Sequence, residues 1–220
     1  MNRNGNIFLV IMLLVLQVQL YGTIQDNKNQ TKKEINMEDR LDFSLLDKYA
    51  RKRNMKDSIG EYVSYSWSFT ENDTKTQLSG STRNGITVWE TPPSPVFFQI
   101  YKQYYPNGYL KLKGKRMGGG ATMVGIWEYY DETGKLIKKV DEDAKFGKFD
   151  YNKLLLFLHQ KEHLNLETGE NRERVSFGFN AEQKHWGVTA IGAGQWTTKY
   201  IIDGETGEVI DKKEYQGGIE

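Results

Sequence analysis

The stretch WEYYDETGKLIKK, residues 127–139, constrains this chain more than any other. Its apolar and aromatic residues flank a Glu-Thr-Gly-Lys turn, and Gly134 supplies the positive φ that a tight reversal favours. Two short antiparallel strands are expected. A shorter echo, YYPNGYLKLKG at 104–114, is arranged in the same way around Pro106-Asn107-Gly108. Tyr105 and Tyr130 stand 25 positions apart, a spacing within the range that marks repeat architectures. Two units fall short of a free-standing solenoid, so the expectation is a small meander extending a larger sheet. Successive strand side chains face opposite ways, so Tyr104-Tyr105 and Tyr129-Tyr130 must each send one ring outward.

The flanking sequence supplies that sheet. Glu61 to Phe69 alternates, with Val63, Tyr65, Trp67 and Phe69 on one face and Ser64, Ser66 and Ser68 on the other, the pattern of a half-buried strand. Ile86 to Glu90 follows an Asn84-Gly85 turn, the prolines of TPPSP interrupt regular structure, and VFFQIYKQYY resumes as a strand. RVSFGFN, HWGVTAIG, WTTKYIID and EVIDKK read as further strands. Two helices are expected. Leu41 to Arg53 places Leu41, Leu45, Leu46 and Tyr49 on one face ahead of a basic end, and Phe149 to Leu166 places Leu154, Leu155 and Leu158 on another. The expected fold class is α+β and β-rich: an antiparallel hairpin meander, then a C-terminal helix packed on an antiparallel sheet. A helix-plus-hairpin domain would span 41–140 and a helix-plus-sheet domain 141–220.

Residues 1–22 read as a signal peptide, with Arg3 ahead of an apolar core from Ile7 to Val18 that is too short to span a bilayer comfortably. Residues 23–40, rich in Asn, Gln, Lys and Glu, read as a flexible tether. The expected location is periplasmic or secreted, without stable membrane insertion after cleavage. The 220 residues contain no cysteine, which excludes disulfides, thiolate metal sites and a lipidated N-terminal cysteine. Thirty Lys and Arg stand against 29 Asp and Glu, interspersed for a net charge of +1, so nucleic-acid binding has no electrostatic footprint.

The sharpest catalytic pattern is HQKEH, with His159, Glu162 and His163 in an H-x-x-E-H arrangement. On a helix, that spacing could bring both imidazoles to a zinc ion with the glutamate as base. A third ligand has almost nowhere to come from, and histidine near a helix C-terminus is favoured by the macrodipole alone. The expectation is a solvated helix end, with a metal-dependent hydrolase as the alternative. GKRMGGG lacks the Gly-Lys-Ser/Thr ending of a phosphate loop and reads as a hairpin loop. No catalytic residues, metal or cofactor are therefore assigned. Tyrosine and tryptophan are over-used at binding surfaces, so Tyr104, Tyr105, Tyr109, Trp127, Tyr129 and Tyr130 are the candidate partner face.

Tyr104, Tyr105, Asn107, Gly108, Leu110, Lys111 and Gly114, then Gly125, Trp127, Tyr129, Tyr130, Gly134, Lys135 and Leu136, carry a resemblance to the YwqK family of antitoxin-like proteins, related to MORN repeats. That resemblance implies β-hairpins built on turn glycines and aromatics, and binding that neutralises a toxic protein. Tyr200, Asp203, Thr206, Gly207, Glu208 and Val209 are similar to the closing hairpin of PepSY-type modules, which implies an exported module that restrains a partner. The expected function is an exported, non-catalytic, immunity- or antitoxin-like protein whose partner is another protein. The alternative is a structural cell-envelope component that contacts glycan or membrane. N-terminal sequencing of the protein from an envelope fraction should find a mature chain that begins near Thr23; a retained Met1 would refute cleavage.

Overall fold

The computed structural model describes residues 40–117 and 122–217. The segment read as a signal peptide, the segment read as a tether up to residue 39 and the glycine-rich part of the 114–120 loop reading lie outside the described residues. The protein is β-rich, with an eight-stranded and a four-stranded antiparallel sheet. The large sheet runs β1 (Arg51–Asp57), β2 (Gly60–Glu71), β3 (Thr74–Ser81), β4 (Gly85–Thr91), β5 (Phe98–Tyr104), β6 (Leu110–Met117), β7 (Met123–Tyr130) and β8 (Leu136–Asp141), each pairing with its sequence neighbours. The small sheet holds β9 (Val175–Asn180), β10 (His185–Ile191), β11 (Trp196–Asp203) and β12 (Val209–Gln216) in the same sequential manner.

Helix α1 (Phe43–Tyr49) is shorter than the 41–53 expected. Asp42 caps its N-terminus by accepting from the Ser44 amide at 2.8 Å, and Ala50 is already extended. Arg51, Lys52 and Arg53 then pair with Ser66, Tyr65 and Ser64, so sheet pairing claims residues whose spacing suited a helix. The helix lies against β2, where Tyr49 stacks on Trp67 at 5.6 Å and Asp47 accepts from the Tyr65 hydroxyl at 3.1 Å. Strand β3 was not expected from its polar sequence TKTQLSGS. Its signal is the preceding Asn72-Asp73, both at positive φ, as in a two-residue hairpin turn.

Helix α2 (Tyr151–Gln160) is also shorter than the expected 149–166. Lys161 is its C-cap and Glu162 takes the left-handed conformation at φ 60. The Glu162 amide donates to His159 and the His163 amide to Leu158, the paired bonds of a Schellman termination. Leu154, Leu155 and Leu158 are buried in a core with Val175, Trp186, Val188, Tyr200 and Ile202 from the small sheet. Met117 and Val124, at the far end of the β6–β7 pair, enter the same core. Trp186 anchors it, fully buried, with its indole N–H donating to the Phe149 carbonyl at 2.8 Å and its ring 4.9 Å from Phe146.

On β7, one strand in from the β8 edge of the large sheet, Trp127 is also fully buried. It lies flat on β6 at Gly114, where a Cβ would come within 2.2 Å of the indole. Overpacking a site of this kind costs about 1–3 kcal/mol, so Gly114→Ala should lower the unfolding free energy by that amount, read as a fall in the urea midpoint. Gly187→Ala, where a Cβ would meet nothing within 4 Å, should leave the midpoint nearly unchanged in the same titration.

Candidate functional site: the tyrosine and cation surface of the hairpins

Antiparallel register sorts the side chains of the large sheet into two faces, because directly paired residues share a face. One cross-strand row runs Trp67, Leu78, Val88, Lys102, Lys113, Glu128 and Lys139 from β2 to β8. Call this the front. The row is apolar near α1 and charged toward β8. A second row on the back runs Arg51, Ser66, Ser79, Thr87, Gln103, Leu112, Tyr129 and Lys138 across all eight strands.

The two hairpin turns named from sequence are joined at matching positions. The Tyr105 hydroxyl donates to the Tyr130 carbonyl at 3.0 Å, and the Asn107 side-chain amide donates to the Glu132 carbonyl at 2.8 Å. Both bonds link residues 25 apart. Tyr109 and Gly134 keep the same offset: the Tyr109 ring fills the space beside Gly134, where a Cβ would come within 2.8 Å of it. Gly108 and Gly134 take nearly identical backbones at φ 86 and 85. The turns therefore stack one on the next.

The five tyrosines and one tryptophan expected as a partner face occupy different environments. Tyr104 and Trp127 are both 0% exposed, so they hold the sheet together and cannot touch a partner directly. Tyr105, Tyr109, Tyr129 and Tyr130 are half-buried. Tyr129 sits with Lys138 on the back, whereas the Tyr130 hydroxyl reaches Glu128 of the front row. The outward rings thus form no single continuous patch. Sequence alternation called for that split, while the depth of Tyr104 and Trp127 comes from packing.

Each half-buried ring carries a cation. Lys111 lies 5.5 Å from the Tyr105 centroid, Arg40 4.8 Å from Tyr109, Lys138 4.6 Å from Tyr129 and Lys113 6.0 Å from Tyr130. Such contacts contribute about 0.5–1 kcal/mol each at exposed sites. They also orient the lysine stems over the rings, so the surface is a mosaic of phenol edges and positive charge. Arg116 joins the mosaic on the back, 3.9 Å from the Tyr101 centroid and 5.7 Å from Trp127.

Glu128 is the electrostatic centre that sequence reading missed. It accepts from Lys139 at 2.6 Å, from the Tyr130 hydroxyl at 2.7 Å and pairs with Lys113 at 3.0 Å. Burial opposes its charge, but these three donors outweigh burial and hold its carboxyl at about 2. One strand pair away, Lys102 bonds Glu90 at 2.7 Å with both side chains largely buried. The alternation of Lys111, Lys113 and Lys115 in KLKGK opposite Glu128 was the available signal, readable only once the register of β6 on β7 is known.

His159, Glu162 and His163 do not share a helical face, because α2 ends at Gln160 and Glu162 is its left-handed terminator. His159 Nδ1 lies 3.3 Å from the Leu164 carbonyl, and His163 Nε2 lies 2.9 Å from the Tyr200 hydroxyl. Burial, then Lys212, pushes the His163 imidazole down. Among the described residues no three His, Cys, Asp or Glu side chains are grouped to hold a metal, and no helix is long and apolar enough to cross a membrane. Comparison with protein-family models, with curated proteins and with solved structures returns no match for this chain.

A carboxyl held low in the fold stabilises above its ordinary range, near 4.5 for this group, and loses that contribution as pH falls through about 2. Glu128→Gln should therefore destabilise at pH 7 by on the order of 2 kcal/mol. In urea titrations between pH 7 and pH 2, the gap between variant and native chain should close below about pH 4.5. A gap constant with pH would refute this reading.

Proposed function

We propose that the chain is an exported, non-catalytic protein that binds another protein, in the manner of immunity or antitoxin proteins. The observation that carries this reading is the pair of hairpins tied at a 25-residue offset, each presenting half-buried tyrosines beneath cations. Aromatic rings held rigidly with a polar tip at the surface are the side chains that anchor protein interfaces. Tyr104 and Trp127 set the sheet, and Tyr105, Tyr109 and Tyr129 with Lys111, Arg40 and Lys138 make the contact. Two stacked turns, each with a preceding tyrosine pair and a glycine at positive φ, are what a MORN-like hairpin meander of the YwqK kind would contain. The helix α2 over β9–β11 and the closing Asp203 to Val209 turn belong, in the same reading, to a PepSY-like module that steadies the hairpins in a periplasmic or secreted setting.

The test is affinity co-purification from periplasmic extract, comparing the native chain with Tyr105→Ala/Tyr129→Ala. A discrete protein should be retained by the native chain, and its yield should fall at least about tenfold with the double variant, as expected for loss of two anchor residues. Retention unaffected by the substitutions, or retention on peptidoglycan without any protein, would overturn the reading and favour an envelope structural role.

A further inference from the structure

Among the described residues β1 is an edge of the large sheet and pairs only with β2. All seven of its residues are exposed. An edge of this kind leaves a row of backbone donors and acceptors unpaired, ready to accept another strand. What it accepts is decided by its side chains, RKRNMKD, with four cations and one acid.

Those cations are treated differently on the two faces. On the front, Lys52 pairs with Asp47 at 3.2 Å and Lys56 with Glu61 at 3.0 Å. On the back, Asp57 is paired with Arg83, which also lies over Tyr62. On the back, Arg51 and Arg53 have no acidic partner among the described residues. They stand opposite Ser66 and Ser64 and overhang an open groove of about 520 Å³ floored by Ser64, Ser66, Ser79 and Ser81. No carboxylate lines that groove. Among the described residues the two lysines of β1 are matched by acids, and its two arginines are not.

We propose that the free edge of β1 is a strand-addition site for an acidic, extended segment of a partner polypeptide, whose alternate carboxylates meet Arg51 and Arg53. The spacing follows from strand geometry. Arg51 and Arg53 are two residues apart on one strand, about 7 Å, and carboxylates at alternate positions of an added strand repeat at that same distance. Main-chain bonds to the edge would supply affinity, and the charge pairs across it would supply selection. Guanidinium forks suit carboxylates in two-bond geometry, and a floor of serine hydroxyls supplies no competing acid. The same charges disfavour the other obvious occupant, a second copy of this chain. Full antiparallel overlap of two β1 strands would set Lys52 against Lys56 twice and bring Arg51 only to Asp57, which Arg83 already holds, and like charges directly opposite destabilise a sheet. This surface lies at the opposite edge of the sheet from β8 and does not depend on the tyrosine reading.

The experiment is fluorescence anisotropy of the full chain with a labelled peptide that alternates Glu and Thr. Its companions are a Lys/Thr peptide of equal length and the Glu/Thr peptide N-methylated at alternate amides. The Glu/Thr peptide should bind, more weakly as salt rises, and the other two should not. Arg51→Ser/Arg53→Ser should weaken binding at least about tenfold, since each lost charge-assisted pair is a sizeable fraction of the total. Lys52→Ser/Lys56→Ser should leave it within about twofold, because those lysines are already matched. All four positions are exposed, and equal thermal midpoints would show that the variants remain folded. Failure of the native chain to bind, binding that survives loss of both arginines, or equal binding of the N-methylated peptide would overturn the proposal. So would a concentration-dependent dimer in sedimentation velocity that the Glu/Thr peptide dissociates.

Discussion

The contact of Trp127 with Gly114 is the constraint on which the large sheet depends. A sheet of eight strands has two broad faces, and among the described residues the seven-residue helix α1 packs on only one end of one of them. Laying an indole flat on a strand that lacks a Cβ buries a large apolar surface without any further element. The Trp127 N–H then donates to the Lys115 carbonyl at 3.2 Å, so the buried polar atom is satisfied. Tyr101 packs 5.8 Å away and Trp89 continues the cluster 6.0 Å beyond it. The back of the sheet is thereby sealed at β4–β7 by its own aromatics, while its other end is left to serines and arginines.

The front solves the same problem with charge. Where α1 reaches, the cross-strand row is Trp67, Leu78 and Val88; beyond it, the row changes to Lys102, Lys113, Glu128 and Lys139. A carboxylate with three donors is well compensated, which permits partial burial without a hydrophobic cover. The lysines of this network and its neighbours also lie over tyrosine rings, so one set of side chains shields the strand backbone and shapes the exposed surface. The exposure of two arginines on β1 that meet no acid among the described residues stands out against that economy of charge.

Much of this was legible from residue order. Alternation located β2, β5, β7 and the four strands of the small sheet, and the apolar stripe Leu154, Leu155 and Leu158 located α2 together with its buried face. The two ends that were misplaced have local causes. Arg51 to Arg53 suit a helix terminus by charge, yet β2 needed an edge partner, and hydrogen bonding to Ser64–Ser66 decided the matter. Glu162 ended α2 early by adopting the left-handed conformation, which a non-glycine residue seldom signals in advance. β3 was missed because Thr, Gln and Ser carry little periodic hydrophobicity, although Thr76 and Leu78 are buried.

By itself, the sequence determined that hairpins form, that their turns fall at Asn107-Gly108 and Thr133-Gly134, and that adjacent tyrosines must part to opposite sides. Those outcomes rest on local backbone preference and the two-residue period of a strand. Only the tertiary structure decided which tyrosines are sealed and which are reachable, that Glu128 gathers Lys113, Lys139 and the Tyr130 hydroxyl, and that Arg51 and Arg53 meet no acid among the described residues. These depend on register between strands far apart in the chain, and a single residue of slip would exchange every front side chain for a back one.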